Sequence, residues 1–522
     1  MWQGNGYMLY WKTGRALAAC IHRRHPDSIA IKTKIPLRPA PCAPGRVRRT
    51  YMKKAGLVCT LLAAGISFAA CTSKRAEAAA QPASSQSSST ETEAKEAEKE
   101  EKITIPPLDV NVPILRDAVA APSGFGRNII FGAAVSSGEY RDDKYMNLIF
   151  QHFNAVTLGN ELKLDCMNGY YMGNRAPRGI ESAVLNGKTI QVPSLDYSRA
   201  NAILDKIVAW NEAHPQTPVK VRGHVLVWHS QAPEWFFHKD YDASQPYVTK
   251  EEMDTRLEWY IKTILEYYTS PKTQTGKKYG KYFYGWDVVN EAISDATGTY
   301  RSDTEPGQDK LTDPTHGSKS SWWKVYQSNE FIINAFRYAN KYAPPELELY
   351  YNDYNECTPK KVRGIVALLK AVKDAPGTRI SAMGMQGHYS VYNPDVFLLK
   401  DAVRAYAEVV GTVMITELDM KASSSFNGTN LEEEYLLQAK QYRKLYTALL
   451  ELDKEPGITI SGITFWGVTD PYSWLQGFSG VGGGADGKQK QCPLLFDGAY
   501  KPKPAFYAFT DDSRLDAILQ TK

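Results

Sequence analysis

Residues 283–293 read FYGWDVVNEAI and residues 412–420 read TVMITELDM. Each is a short, largely apolar run that leads into a glutamate, Glu291 in the first and Glu417 in the second. Runs of this length, rich in β-branched and aromatic residues, predict buried strands rather than helices. Six more occur, at 129–135 (IIFGAAV), 153–158, 219–228 (VKVRGHVLVW), 347–352, 380–386 and 458–467 (ITISGITFWG). Between them, apolar residues recur at helical spacing over 197–213, 251–268, 322–341, 359–373 and 431–452. Asp196 and Ser198 signal the start of the first of these helices, and Thr358-Pro359 the start of another. Eight buried strands alternating with helices predict a parallel sheet, either open and doubly wound or closed into a (β/α)8 TIM barrel. The polar residues favour the barrel. They gather at strand ends, as His224, Trp228 and His229, Asn290-Glu291, Asn352-Asp353-Tyr354, Gln386 and His388, Glu417 and Asp419, and Trp466. A barrel brings all such ends to one face.

The rest of the chain is organised around that unit, which is expected to span residues 106–513, with 514–522 as a C-terminal tail. Residues 53–71 hold Lys53-Lys54, a run of small and apolar residues and then Cys71, the layout of a secretory signal. Phe68-Ala69-Ala70-Cys71 resembles the lipobox of bacterial lipoproteins. Residues 52–70 are therefore expected to be a signal peptide and Cys71 a lipidated residue that anchors the chain to the cell envelope. Residues 1–51 are basic and Pro-rich without sustained apolar periodicity, and Met52 stands where a signal peptide would begin, so this stretch is read as a doubtful extension. Residues 71–105 are rich in Ser, Glu, Lys and Ala and are expected to form a disordered tether.

This partition changes the meaning of the charge. The whole chain has 62 basic and 57 acidic side chains, a formal charge of +5. Residues 1–70 hold 12 of the basic residues and a single acid, Asp27, leaving 50 basic against 56 acidic residues in the remainder. Basic clusters in that remainder are sparse, and no nucleic-acid partner is expected. Seven cysteines in 522 residues exclude a disulfide scaffold, and no CxxC pair suggests a zinc or redox site. Cys166, Cys357 and Cys492 are expected to be buried thiols. GGGADGK (482–488) has the outline of a phosphate loop but is followed by Gln489 in place of Ser or Thr, so it is read as a loop.

A carboxylate at the end of an apolar strand is costly unless it is paired or functional. Glu291 and Glu417 lie on the fourth and seventh strands, nearly opposite across a barrel mouth. Glycoside hydrolysis requires two carboxylates flanking one bond, one to donate a proton and one to attack or to activate water. His224 and His229 do not suggest a metal site, since five residues apart on a strand they face opposite ways and no third ligand is evident.

The chain resembles glycoside hydrolase family 10, the retaining endo-β-1,4-xylanases, over roughly residues 110–510. The resemblance is carried by FNAVTLGNELK, VRGHVLVWHSQAP, YGWDVVNEAI, LYYNDYN, GMQGHY, ITELDM, TFWGVTDPYSW and PLLFDGAYKPKPA, in that order along the chain. It implies a TIM barrel and hydrolysis of xylan or xylo-oligosaccharides by a monomer without cofactor or metal. It also implies that Glu291 is the general acid/base and Glu417 the nucleophile. His388 then contacts the nucleophile with Asp419 as its partner, Asn290 holds the sugar 2-hydroxyl, and Gln386 lies near the acid/base. His224, Trp228, His229 and Gln231 would contact or orient the sugar, Trp466 and Trp474 would roof the cleft, and Asn160, Lys163 and Tyr354 would complete it. The chain departs from the family at Gly159, where a glutamate often precedes the asparagine, and in insertions at 165–195 and 296–320. These insertions follow strand ends on the active face and are expected to shape distal subsites or a lid, or to be surface decoration. Two other readings remain open: a related barrel hydrolase acting on another β-glycan, and a surface glycan-binding protein without activity.

Overall fold

The computed structural model describes residues 112–169, 176–306, 319–426, 428–477, 491–510 and 512–520. All belong to one compact unit that begins at Ala97. The expected extension, signal peptide, lipidated Cys71 and tether lie outside the described residues, as does GGGADGK.

Eight parallel strands form the centre: β1 (Ile130–Val135), β2 (Ala155–Leu158), β3 (Lys220–Gly223), β4 (Phe283–Asn290), β5 (Glu348–Asp353), β6 (Ala382–Met385), β7 (Thr412–Lys421) and β8 (Thr459–Phe465). Each pairs in parallel with the next, and β8 pairs back onto β1 through Ile130–Gly462 and its successors, so the sheet closes. The strands are buried almost along their whole length, as expected where helices cover the outer face. Close strand approach depends on glycine at one telling position. A Cβ on Gly223 would stand 2.0 Å from the Trp286 ring, so the third and fourth strands could not meet with any larger residue there.

A helix follows each strand: α1 (Asp143–His152), α2 (Ser198–Ala213), α3 (Lys250–Thr269), α4 (Glu330–Tyr342), α5 (Pro359–Asp374), α6 (Val396–Val410), α7 (Leu431–Leu452) and α8 (Asp512–Gln520). Each buries one stripe; α4, for example, turns Phe331, Ile332, Ala335, Phe336 and Ala339 inward. The Asp196 carboxylate accepts from the Ser198 N–H at the start of α2. Thr358 occupies the N-cap of α5 without a side-chain hydrogen bond, and Pro359 opens that helix by its fixed φ alone.

Several expectations are corrected. The single helix expected over 322–341 is two, Ser321–Tyr326 and α4, because Gln327 adopts a left-handed conformation between them. The run 219–228 is broken into β3 and a separate pair, Val227–Trp228, on β4. Part of the 165–195 insertion is an antiparallel hairpin, Ile180–Leu185 with Lys188–Pro193, turned by Asn186-Gly187, both at positive φ. The expected tail at 514–522 is largely α8, which places Leu515 fully in the core, because its Leu515 and Ile518 lie on one side of the helix. Among the described residues no helix is long and apolar enough to cross a membrane. Cys166, Cys357 and Cys492 are buried free thiols, and burial pushes the thiols of Cys166 and Cys492 up to about 12.

Candidate active site

Glu417 lies within β7 and is almost fully buried, so its charge must be met by protein groups. Oε1 accepts from Asn352 Nδ2 at 2.7 Å and Oε2 from His388 Nε2 at 3.2 Å. His388 donates through Nδ1 to Asp419 at 2.9 Å, and Trp474 Nε1 donates to the other oxygen of Asp419 at 2.7 Å. Burial alone would raise the Glu417 pKa. The His388 hydrogen bond and the charges of His224, His388 and Arg222 outweigh it and hold the carboxyl at about 2. Burial would lower His388, but Asp419 and then Glu417 hold its imidazolium up to about 10. At neutral pH this is a cation between two anions, with Glu417 ionised.

Beneath it lies a second charged layer. The guanidinium of Arg222, fully buried on β3, stands 3.4 Å from Asp287 and donates to the Thr416 carbonyl at 3.0 Å. Asp287 also holds His224 Nδ1 at 2.7 Å. These groups supply the positive field that favours the ionised form of Glu417.

Glu291 follows the last residue of β4 and is in the left-handed region, φ 57°. A non-glycine residue there costs roughly 1–3 kcal/mol and persists only where surrounding contacts fix it. Four such contacts do so. Its N–H donates to the Asn352 carbonyl at 2.9 Å, its carbonyl accepts from Arg301 Nε at 2.9 Å, the Ala292 N–H donates to the Tyr351 hydroxyl at 3.0 Å, and the Arg301 N–H donates to the Ala292 carbonyl at 2.7 Å. The carboxyl is met by three N–H groups: Trp228 Nε1 on Oε2 at 2.9 Å, and Gln386 Nε2 at 2.9 Å and Asn290 Nδ2 at 3.1 Å on Oε1.

Amides connect the two carboxyl groups. Asn290 Oδ1 accepts from Asn352 Nδ2 at 3.0 Å and Gln386 Nε2 at 3.1 Å, while Asn352 also donates to Glu417. Asn352 Oδ1 accepts from Thr416 Oγ1 at 2.6 Å. A Cβ on Gly384 would lie 2.5 Å from that Asn352 oxygen, so β6 carries glycine where the amide crosses it. Two strands on opposite sides of the barrel therefore present their glutamates through one hydrogen-bonded lattice.

Both glutamates open into a cleft of about 970 Å³. Asn160, Lys163, His224, Trp228, Gln231, Asn290, Tyr354, Gln386, His388, Trp466 and Trp474 line it with them. On one side Lys163 Nζ donates to Gln231 at 2.8 Å and Asn160 at 3.1 Å, and stands 4.8 Å from the Trp228 ring centre. Over the other side, Trp474 meets His388 edge-on at 5.2 Å and Trp466 meets His224 edge-on at 5.4 Å. Trp474 remains 40% exposed, an aromatic face that suits the C–H face of a pyranose ring.

One residue sits elsewhere than the resemblance implies. His229 does not line the cleft; it packs behind Glu291, largely covered, with Nδ1 4.0 Å from that carboxyl. Burial and then the charges of Arg301 and Lys361 hold its pKa well below the ordinary value, so it is a neutral ring supporting Glu291 from behind. His224 lines the cleft and His229 does not, as strand alternation sets them on opposite faces. Asp353 is a structural anchor: fully buried, it pairs with Lys361 at 2.9 Å and accepts from the Tyr351 hydroxyl. Burial raises its pKa to about 6.

Sequence reasoning missed Asn352, Arg222, Asp287 and Arg301 as members of the site. Asn352 was visible in a polar strand-end cluster. The others are buried partners whose relevance appears only once strands are neighbours. Arg301 comes from the 296–320 insertion, whose described part thus clamps the backbone at Glu291 rather than decorating the surface. Among the described residues no group of three or more His, Cys, Asp or Glu side chains is arranged to hold a metal ion.

Comparison with known proteins agrees with this geometry. Residues 121–512 match the model of glycosyl hydrolase family 10. The chain is 32% identical over 405 residues to endo-1,4-beta-xylanase C of Paenibacillus barcinonensis, covering 75% of this chain and 31% of that protein. It is 29% identical over 386 residues to endo-1,4-beta-xylanase B of the same organism, covering 74% of this chain and 96% of the relative. The chain thus spans about a third of the first relative and nearly all of the second. Among solved structures, the CBM22-1–GH10 modules of endo-1,4-beta-D-xylanase 10B from Clostridium thermocellum, complexed with xylohexaose, superpose with a TM-score of 0.58 at 28% identity. That match covers 74% of this chain and 66% of the other.

Proposed function

The chain belongs to glycosyl hydrolase family 10, and from that premise we propose that it is an endo-1,4-β-xylanase acting by double displacement with retention. The observation that carries this reading is the unequal treatment of two carboxyl groups in one cleft. Glu417 is held ionised by His388 and Asn352, as a nucleophile must be. Glu291 is met by three neutral N–H donors, from Trp228, Gln386 and Asn290, none of them a cation. In this scheme protonated Glu291 delivers its proton to the leaving glycosidic oxygen while Glu417 attacks the anomeric carbon. Bond formation removes the negative charge of Glu417, favouring ionised Glu291. Glu291 then takes a proton from water, which displaces the Glu417 ester and restores the original configuration. Asn290, anchored by Asn352 and Gln386, is placed to hold the sugar 2-hydroxyl.

Product analysis tests the proposal. Incubation of the purified chain with xylan should yield short xylo-oligosaccharides, and proton NMR should show the β-anomer of the new reducing end first. An α-anomer appearing first would overturn the double displacement, and hydrolysis of cellulose in preference to xylan would move the chain to another β-glycan.

We also propose that Cys71 carries lipid and tethers the barrel to the cell envelope of a bacterium, through the segment ending near residue 105. The support is the Lys53-Lys54 pair, the apolar run and the small residues before Cys71. Cys71→Ser should move the mature protein from the membrane fraction to the soluble one and abolish its labelling by a radioactive fatty acid. Unchanged fractionation and labelling would refute the anchor.

A further inference from the structure

β6 ends at Met385, and pairing beside β7 resumes only at His388, opposite Asp419. Between them Gly387 turns the chain through the left-handed region, φ 80°. This break carries side chains that reach both cleft glutamates: Gln386 touches Glu291 and His388 touches Glu417. Backbone grips it from two strands. The Glu417 N–H donates to the Gln386 carbonyl at 2.7 Å, the Asp419 N–H to the Gly387 carbonyl at 3.3 Å, and the Gln386 N–H to the Asp353 carbonyl at 2.9 Å. The Gly387 N–H goes instead to a side chain.

That side chain is Glu356, in the turn after β5, a fully buried carboxyl that the chemistry does not use. Its Oε1 accepts from the Gly387 N–H at 3.2 Å and from the Tyr389 hydroxyl at 2.8 Å. One oxygen thus holds the residues on both sides of His388. The Tyr406 hydroxyl on α6 donates to the Glu356 carbonyl at 2.6 Å and fixes the turn from which the carboxyl projects. Cys357 Sγ stands 3.7 Å from the Tyr389 oxygen. Oε2 has no hydrogen-bond partner among the described residues. Burial pushes the carboxyl up to about 7, and a proton on Oε2 leaves Oε1 an acceptor. A buried carboxyl with one oxygen unmet is a poor stabiliser of a core. An oxygen bridging two residues is, by contrast, a close constraint on the residue between them.

We propose that Glu356 is a positioning residue: by holding the Gly387 N–H and the Tyr389 hydroxyl on one oxygen, it sets where His388 meets Glu417 and where Gln386 meets Glu291. The proposal rests on the reading of the chain as a hydrolase that uses these two glutamates. The tolerance is small. The His388 contact with Glu417 is 3.2 Å long, so a shift of about 1 Å in the segment would take it out of hydrogen-bond range. Gln386 bonds both Glu291 and Asn290 through one nitrogen, so the same shift would disturb the acid/base and the amide beside it.

Steady-state kinetics of the full chain on a linear xylo-oligosaccharide test it, with circular dichroism to verify the fold. Glu356→Ala should lower kcat about 10–100-fold with KM nearly unchanged, the scale expected when reacting groups are misplaced by about 1 Å. Glu356→Gln keeps an acceptor at Oε1 and should retain most of the parent's kcat. Tyr389→Phe should lower kcat by a smaller factor in the parent and by none in Glu356→Ala, where the carboxyl through which it acts is already gone. A parental kcat in Glu356→Ala, a loss confined to KM, or an equal loss in Glu356→Gln would overturn the proposal. Should Glu356→Ala not fold, Tyr389→Phe decides: a lowered kcat supports the bracket and a parental one refutes it. If the parent itself cleaves no oligosaccharide, the hydrolase reading fails instead, and NMR of nitrogen-15-labelled histidine decides the positioning. The ring N–H signals of His388, identified by their absence in His388→Asn, should persist in Glu356→Gln and shift or vanish in Glu356→Ala. Unchanged signals in a folded Glu356→Ala would refute the bracket on their own.

Discussion

Glu417→Ala is expected to lower the rate of xylan hydrolysis by about four orders of magnitude or more while leaving the barrel folded. No neighbouring group can replace the lost nucleophile, because Asp419 is already committed to His388 and Trp474. The measurement is a rate on xylan with circular dichroism to verify the fold, and a variant retaining more than a tenth of the activity would remove Glu417 from the chemistry. The same substitution should alter the pH dependence of stability. The Glu417 pKa is depressed from 4.5 to about 2, so its contribution is present above about 4.5 and lost as pH falls toward 2. The His388 pKa is raised from 6.5 to about 10, so its contribution is present below about 6.5 and lost as pH rises through 10. Both are complete only between about 4.5 and 6.5, where the thermal midpoint should plateau. In Glu417→Ala the acid-side decline should flatten, since the group that caused it is gone.

Glu291→Ala should cost about 10²–10⁴-fold in kcat/KM on xylan, the usual worth of a positioned acid/base. The loss should depend on the leaving group. An aryl xylobioside with an acidic phenol leaves without protonation, so its attack by Glu417 should proceed and the glycosyl ester should accumulate. Azide can then enter the space vacated by the carboxyl, attack that ester without a base, and release a β-glycosyl azide at an increased rate. Absence of azide acceleration, or an equal loss with both leaving groups, would show that Glu291 does not move the proton. A wild-type chain that binds xylan without cleaving it would instead support the glycan-binding alternative.

Much of this site was legible before any coordinates, for physical reasons. Glutamates that terminate apolar strands stand out because burial makes them expensive, and a closed barrel brings strand ends together whatever the intervening helices. What stayed hidden depends on neighbours in space. Arg222 and Asp287 look like ordinary strand residues until β3 and β4 are adjacent, and Arg301 looks like loop until it reaches the Glu291 carbonyl. The resemblance set His229 at the sugar, whereas strand alternation alone already turned it away from the face of His224. The hairpin at 180–193 could have been found, since Asn186-Gly187 between alternating apolar residues is a strong turn signal.

The left-handed backbone at Glu291 carries a consequence for how this protein can be improved. Local sequence preference and required conformation disagree there, and glycine would suit the backbone better than glutamate does. A search for thermostable variants guided by backbone strain alone would nominate position 291 and lose the proposed proton donor with the strain. Stability and turnover are thus in competition at a single residue, and selection for robustness would have to act on the contacts that surround it, including Arg301, rather than on the residue itself.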